Sequence, residues 1–210
     1  MFTNGVVETI AREVALECKG LPLAINTVVV AMARKKTADH VWSRALALMK
    51  IVDPSIPSTH RTIDAELYQR LRWSYNDLFD NLKMCFLYCA AFPKDAEIVV
   101  ETLVEMWAAE SLVPQKGRTY IMDVGQEYID ALVDRCLIEY VDRENNKIKV
   151  HDVLHDMAIY IGEGDQEKWL LLASQRLKNF PSKEEARDCK RISLVDNEIS
   201  DLPAIDFQDS

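Results

Sequence analysis

A mainly α-helical fold is predicted by three features of this 210-residue sequence. Helix breakers are scarce, with 6 Gly and 7 Pro in the chain, about half the usual share. Long stretches place apolar residues three and four apart, the repeat of one helix face. Strand-like patterning is confined to two short regions, residues 137–150 and the stretch after Arg191.

Val6, Val7, Ile10, Val14 and Cys18 make the first helical stripe, which Gly20 ends by offering a residue tolerant of the left-handed conformation. Pro22 suits a first helical position, where its missing N–H loses no bond. Gly20-Leu21-Pro22-Leu23 is therefore a corner between two helices. The second helix runs through Ile25, Val28, Val29 and Met32 to the basic cluster Arg34, Lys35, Lys36, whose charge complements a helix C-terminus. A third helix spans about Val41 to Met49, and Asp53-Pro54-Ser55-Ile56-Pro57-Ser58 forms a loop. A fourth helix covers about Asp64 to Tyr75, and a domain boundary is expected near Leu78.

From Asn81 the stripe of Leu82, Cys85, Phe86 and Cys89 predicts a helix that halts at Phe92-Pro93. Two more helices follow, one carrying Leu103, Val104 and Trp107, the other from about Asp123 to Cys136 with Val124, Tyr128 and Leu132 inward. Leu137 to Val141 and Lys147 to Val150 flank Arg143-Glu144-Asn145-Asn146 and read as a hairpin. Three helices and a hairpin make a winged-helix pattern. Asp152 can then cap a helix through Val153, Leu154, Met157, Ala158 and Ile161, ended by Gly162 and Gly164. Finally, Ile192-x-Leu194-x-x-Asn197-x-Ile199-x-x-Leu202 fits most of one leucine-rich repeat unit. One unit cannot bury its own face, so a repeat array is expected to continue in a longer parent. The expected architecture is thus a helical bundle, a winged-helix domain with a small β-hairpin, then the start of a leucine-rich repeat.

Composition narrows the function classes. Apolar residues make up 49% and charged residues 28%, a globular balance that argues against a disordered tail, a collagen-like repeat or a disulfide scaffold. With 25 basic against 34 acidic residues the net charge is −9, which disfavours non-specific attraction to nucleic acid or anionic lipid. Five Cys without framework spacing suit a reducing, cytoplasmic setting. Residues 1–11 show no signal-peptide pattern, and the longest apolar run, Leu21 to Ala33, is interrupted by Asn26 and Thr27. It falls short of the ~20 residues of a membrane span.

Four motifs then occur in order: Gly20-Leu21-Pro22-Leu23-Ala24; Cys85-Phe86-Leu87-Tyr88-Cys89-Ala90-Ala91-Phe92-Pro93-Lys94-Asp95; Trp107-Ala108-Ala109-Glu110; and Val150-His151-Asp152-Val153-Leu154-His155-Asp156-Met157-Ala158. They resemble the GLPLA, CFLYC-A-FP, W-x-AE and MHD segments of plant nucleotide-binding leucine-rich-repeat immune receptors of the type lacking a TIR domain. Val150 stands where the last motif has Met, an apolar exchange that leaves His151 and Asp152 intact.

The resemblance implies three parts: residues 1–78 as a helical first ARC subdomain, 79–161 as a winged-helix second ARC subdomain, and 162–210 as linker and first repeat. It implies a switch held off by ADP and turned on by ATP, signalling defence. Pro22, Leu23 and His151 would contact the nucleotide, Pro22 at the adenine and His151 at the ADP β-phosphate; Gly20 and Asp152 would be structural and switch residues. The implied partners are an upstream nucleotide-binding domain, downstream repeats, further receptor copies in an oligomer, and a pathogen effector or guarded host protein. No Gly-Lys dipeptide occurs, so the phosphate-cradling loop is missing. Catalysis is not expected, and the chain alone should bind ADP or ATP weakly or not at all.

Plainer readings stand beside these. Pro22 also serves as a helix starter and His151 as a surface histidine at a strand end. Cys85 and Cys89, one turn apart, read as buried packing residues rather than a metal or redox pair, and Trp73, Trp107 and Trp169 as core or interface residues. A winged helix can bind DNA, but Asp123, Glu127, Asp130 and Asp134 on the recognition-position helix would repel phosphate. His151 and His155, four apart, resemble part of an H-E-x-x-H zinc site, yet Asp replaces its Glu and no third-ligand motif follows. Without its flanking domains the chain would instead act as an interaction adaptor or decoy.

Overall fold

The computed structural model describes residues 5–18, 22–33, 39–50, 65–114, 116–164 and 168–201. Among them are eight helices: α1 (Gly5–Glu17), α2 (Pro22–Ala33), α3 (Asp39–Lys50), α4 (Ala65–Asn76), α5 (Asp80–Cys89), α6 (Val100–Ala109), α7 (Arg118–Val133) and α8 (Asp152–Gly164). Five strands accompany them: β1 (Ile98–Val99), β2 (Glu139–Asp142), β3 (Lys147–Lys149), β4 (Trp169–Leu171) and β5 (Arg191–Ser193). Gly20, the Arg34–Lys36 cluster and the Asp53–Ser58 loop lie outside the described residues.

Two apolar cores form. The smaller gathers Val7, Val14, Cys18, Ala24, Val28, Met32, Trp42, Ala45 and Met49 from α1 to α3. The larger takes in α5 to α8 and the strands, around Phe86, Leu103, Trp107, Ile129, Leu132, Ile148, Leu154 and Trp169. Helix α4 serves both. Tyr68, Leu71 and Tyr75, spaced three and four apart, face the larger core, while Trp73 packs on the smaller. A helix with apolar residues on two sides can join two bodies in this way.

The winged-helix order is α5, β1, α6, α7, β2, β3. Its sheet runs β1-β3-β2, antiparallel throughout, with Ile98 opposite Ile148 and Glu139 opposite Lys149. Strand β1 escapes sequence reading because two residues are too few to show alternation; the buried Ile98 against Ile148 creates it. A bulge falls between Tyr140 and Asp142. The Asp142 carboxylate accepts from the Asn145 N–H at 2.9 Å, and Asn146 at φ 49° completes the turn.

Helix α7 starts at Arg118 rather than near Asp123 and ends at Val133 rather than Cys136. Gly117, at φ 104°, turns the chain just ahead of it, and Cys136, at φ 56°, takes a left-handed conformation beyond its end. Against α7, α6 packs at a distance only Gly permits: a Cβ on Gly125 would sit 2.4 Å from Val104 Cγ1.

The repeat-like region holds more than the single unit expected. β5 pairs in parallel with β4, Leu170 opposite Ile192. Asn197 closes the turn region, its Nδ2 donating to Leu172 O at 2.7 Å and Leu194 O at 3.0 Å and its Oδ1 accepting from Gln175 N and Leu177 N. Strand β4 escapes sequence reading because its Trp-Leu-Leu-Leu run resembles any buried apolar segment.

Candidate functional site

The residues implied to contact a nucleotide lie on two helices. Pro22 opens α2 and is exposed. Leu23 beside it packs against the larger core, while Ala24, Val28 and Met32 of the same helix enter the smaller one. The Thr27 hydroxyl donates to Leu23 O at 2.6 Å, so this buried polar group is satisfied within the helix. The start of α2 therefore sits where the two cores adjoin.

His151 stands exposed just before α8. Its carbonyl accepts from the N–H groups of Leu154 and His155, at 2.8 and 2.9 Å. Its ring Nδ1 accepts from the Val153 N–H at 3.3 Å. The sequence assigned the cap to Asp152, but Asp152 is already the first helical residue, and His151 occupies the capping position. Asp152 contributes instead as an acidic first-turn residue at the positive end of the helix dipole. Because Nδ1 acts as acceptor, a neutral His151 carries its proton on Nε2. That N–H is a hydrogen-bond donor beside a helix N-terminus.

His155, one turn on, is 6% exposed, and its Nε2 lies 2.9 Å from Phe92 O. A carbonyl only accepts, so Nε2 is the donor there. The two histidines thus make different contacts. Among the described residues no group of three or more His, Cys, Asp or Glu could hold a metal ion.

The acidic residues of α7 do lie on the surface: Asp123, Glu127, Asp130 and Asp134 are all exposed. Asp130 also accepts from the Tyr140 hydroxyl at 2.8 Å, tying the wing to α7. Together they make this face of α7 acidic. Cys85 and Cys89 are buried thiols, and burial pushes Cys89 up to about 12, which makes it a poor nucleophile or ligand.

Sequence reading did not single out Arg191. Its Nε donates to the Tyr88 hydroxyl at 2.8 Å and its Nη2 pairs with Glu110 at 2.6 Å. The guanidinium lies 5.2 Å from the Trp169 ring centroid, and Trp169 meets Tyr88 edge to face at 4.8 Å. Two motifs, through Tyr88 and Glu110, thus grip the first residue of β5. An isolated Arg ahead of an apolar strand carries no sequence signal for this.

Residues 91–158 match the family described as the disease resistance protein winged helix domain. The chain belongs to the disease resistance proteins. It is 35% identical over 198 residues to disease resistance protein RPS5 of Arabidopsis thaliana, covering 92% of this chain and 22% of that protein. Probable disease resistance protein At4g27220 and disease resistance protein At4g27190, from the same plant, are each 36% identical over 200 residues, or 94% of this chain. The chain spans about a fifth of the length of these disease resistance proteins. Its matched domain is a winged helix. No helix among the described residues is long and apolar enough to cross a membrane.

Proposed function

We propose that this chain is the regulatory portion of an intracellular plant immune receptor, relaying the ADP or ATP state of a nucleotide-binding domain to leucine-rich repeats. The observation that carries this reading is His151, exposed at the start of α8 with its Nε2–H available. A neutral N–H donor beside the positive end of a helix suits a phosphate oxygen. The exposed Pro22 ring offers a flat apolar surface for an adenine, and Leu23 behind it touches the core to which α8 belongs. In this reading these groups would form one wall of a nucleotide site. With no Gly-Lys dipeptide in the chain, the phosphate cradle and any hydrolysis belong to another domain. On the far side, Trp169 and Leu171 of β4 share the winged-helix core, so α8 and the first repeat-like strands are packed together. Further copies of the receptor and an effector or guarded host protein complete the set of proposed partners.

The test uses a receptor that carries this segment. His151→Ala is expected to reduce co-purifying ADP, and Asp152→Val to cause cell death without a pathogen in leaf expression. Unchanged ADP content in H151A together with a silent D152V, both expressed normally, would overturn the reading.

A further inference from the structure

Between α5 and β1 the chain turns through residues 90–95, and three residues of this turn each hold a different partner. Ala91 O accepts from the hydroxyl of Ser193, the last residue of β5. Phe92 O accepts from His155 of α8. The Lys94 ammonium donates to both carboxylate oxygens of Asp156, also on α8, at 3.0 and 2.9 Å. One short turn thus bonds the second repeat-like strand on one side and the helix capped by His151 on the other.

Two further observations bear on this junction. An open, solvent-facing cavity of about 610 Å³ lies between the turn, α8 and the end of β4, lined by Pro93, Lys94, His155, Ile159, Leu171 and Ala173 among others. On that side the turn lacks the close-packed neighbours that hold interior elements in place. Beside it, the buried Nδ1 of His155 has no hydrogen-bond partner among the described residues. A buried polar atom left unpaired destabilises the arrangement that leaves it so, and lowers the cost of leaving that arrangement.

We infer that the 90–95 turn is the coupling element between the repeats and the nucleotide-sensing end of α8. Displacement of β5 pulls on Ala91 through Ser193, the turn shifts into the cavity, and His155 and Asp156 carry the movement along α8 to His151. The inference rests on the relay reading above and names the residues through which that relay runs. Coupling of this kind runs through contiguous contacts that have room to rearrange; the turn supplies the contacts and the open cavity beside it the room.

Hydrogen exchange followed by NMR on the 210-residue chain tests it. The Leu154 and His155 amides both donate to His151 O and report on that end of α8. Ser193→Ala, which cuts only the β5 side, is expected to speed exchange at these amides at least about fivefold. Ala45 in α3, within the smaller core, should stay unchanged. In a His155→Phe, Lys94→Gln background, which cuts the α8 side, Ser193→Ala should change Leu154 less than about twofold. Should H155F not fold, Lys94→Gln alone and Ala173→Leu, which fills the cavity, replace it; each should blunt the S193A effect. An unchanged Leu154 in S193A, or an S193A effect that persists undiminished in these backgrounds, overturns the inference. Since no nucleotide is used, the coupling can fail while H151A still lowers ADP retention, and the relay reading can fail while the coupling stands.

Discussion

Replacing Arg191 by Met keeps most of the side chain's apolar stem and removes its charge and donors. Arg191 is 18% exposed and Glu110 36%, so the pair is partly shielded from water. A hydrogen bond from a charged donor, here to the Tyr88 hydroxyl, is worth about 1.5 kcal/mol or more. The Glu110 pair adds roughly 0.5–1 kcal/mol at this exposure, and the Trp169 contact another ~0.5–1 kcal/mol. Arg191→Met should therefore destabilise the chain by about 3 kcal/mol, which for a domain of this size lowers Tm by roughly 6–12 °C. Urea unfolding followed by tryptophan fluorescence suits the measurement, because Trp169 lies within the cluster. Tyr88→Phe should cost about 1.5 kcal/mol, and the double variant should cost less than the two single changes together by about 1 kcal/mol. A loss below ~1 kcal/mol for R191M, or a coupling below ~0.3 kcal/mol, would refute the view that these residues bind the repeat-like strands to the winged helix.

Two further outcomes follow from packing and ionisation. Gly125→Ala would ordinarily favour helix formation, yet its Cβ would lie 2.4 and 2.5 Å from the Val104 methyls. A net loss of about 1–2 kcal/mol in chemical denaturation is expected, and Val104→Ala in the same chain should recover most of it; a stabilised G125A would contradict the close approach of α6 and α7. Burial raises the Cys89 thiol to about 12 and also raises the Cys85 thiol, with the neighbouring Cys89 adding to the effect. A folded-state value above the unfolded one keeps its full stabilising effect below the unfolded value and loses it as pH rises. Stability should therefore fall as pH rises above the ordinary thiol value of 9.0. Cys85→Ala with Cys89→Ala, measured by denaturant titration, should flatten that slope, and an unchanged slope would mean that the thiols are not the groups responsible.

Much of the candidate site was legible because it lies in contiguous stretches. Pro22 at a helix start and His151 ahead of an apolar helix follow from local rules of capping and ring geometry. The exchange of roles between Asp152 and His151 was not legible, since both can accept from a helix N-terminal N–H and only the position where the strand leaves the sheet selects one. The sequence pattern points to a later start for α7 because Gly117 is a weaker local signal than the acidic start at Asp123. In space, its φ of 104° sets the turn.

The sequence by itself determined which segments are helices and which one is the hairpin, because the spacing of apolar residues depends only on the local repeat of the backbone. It also determined the family, because four ordered motifs survive without any knowledge of contacts. Only the tertiary structure decided that α4 serves two cores, that Ile98 makes a strand, that β4 and β5 pair in parallel, and that Arg191 joins Tyr88 to Glu110. Each of these depends on residues far apart in the chain: Ile98 meets Ile148 and Arg191 meets Tyr88. Such contacts form when burial and pairing outweigh the entropy of closing long loops, a balance that no local pattern encodes.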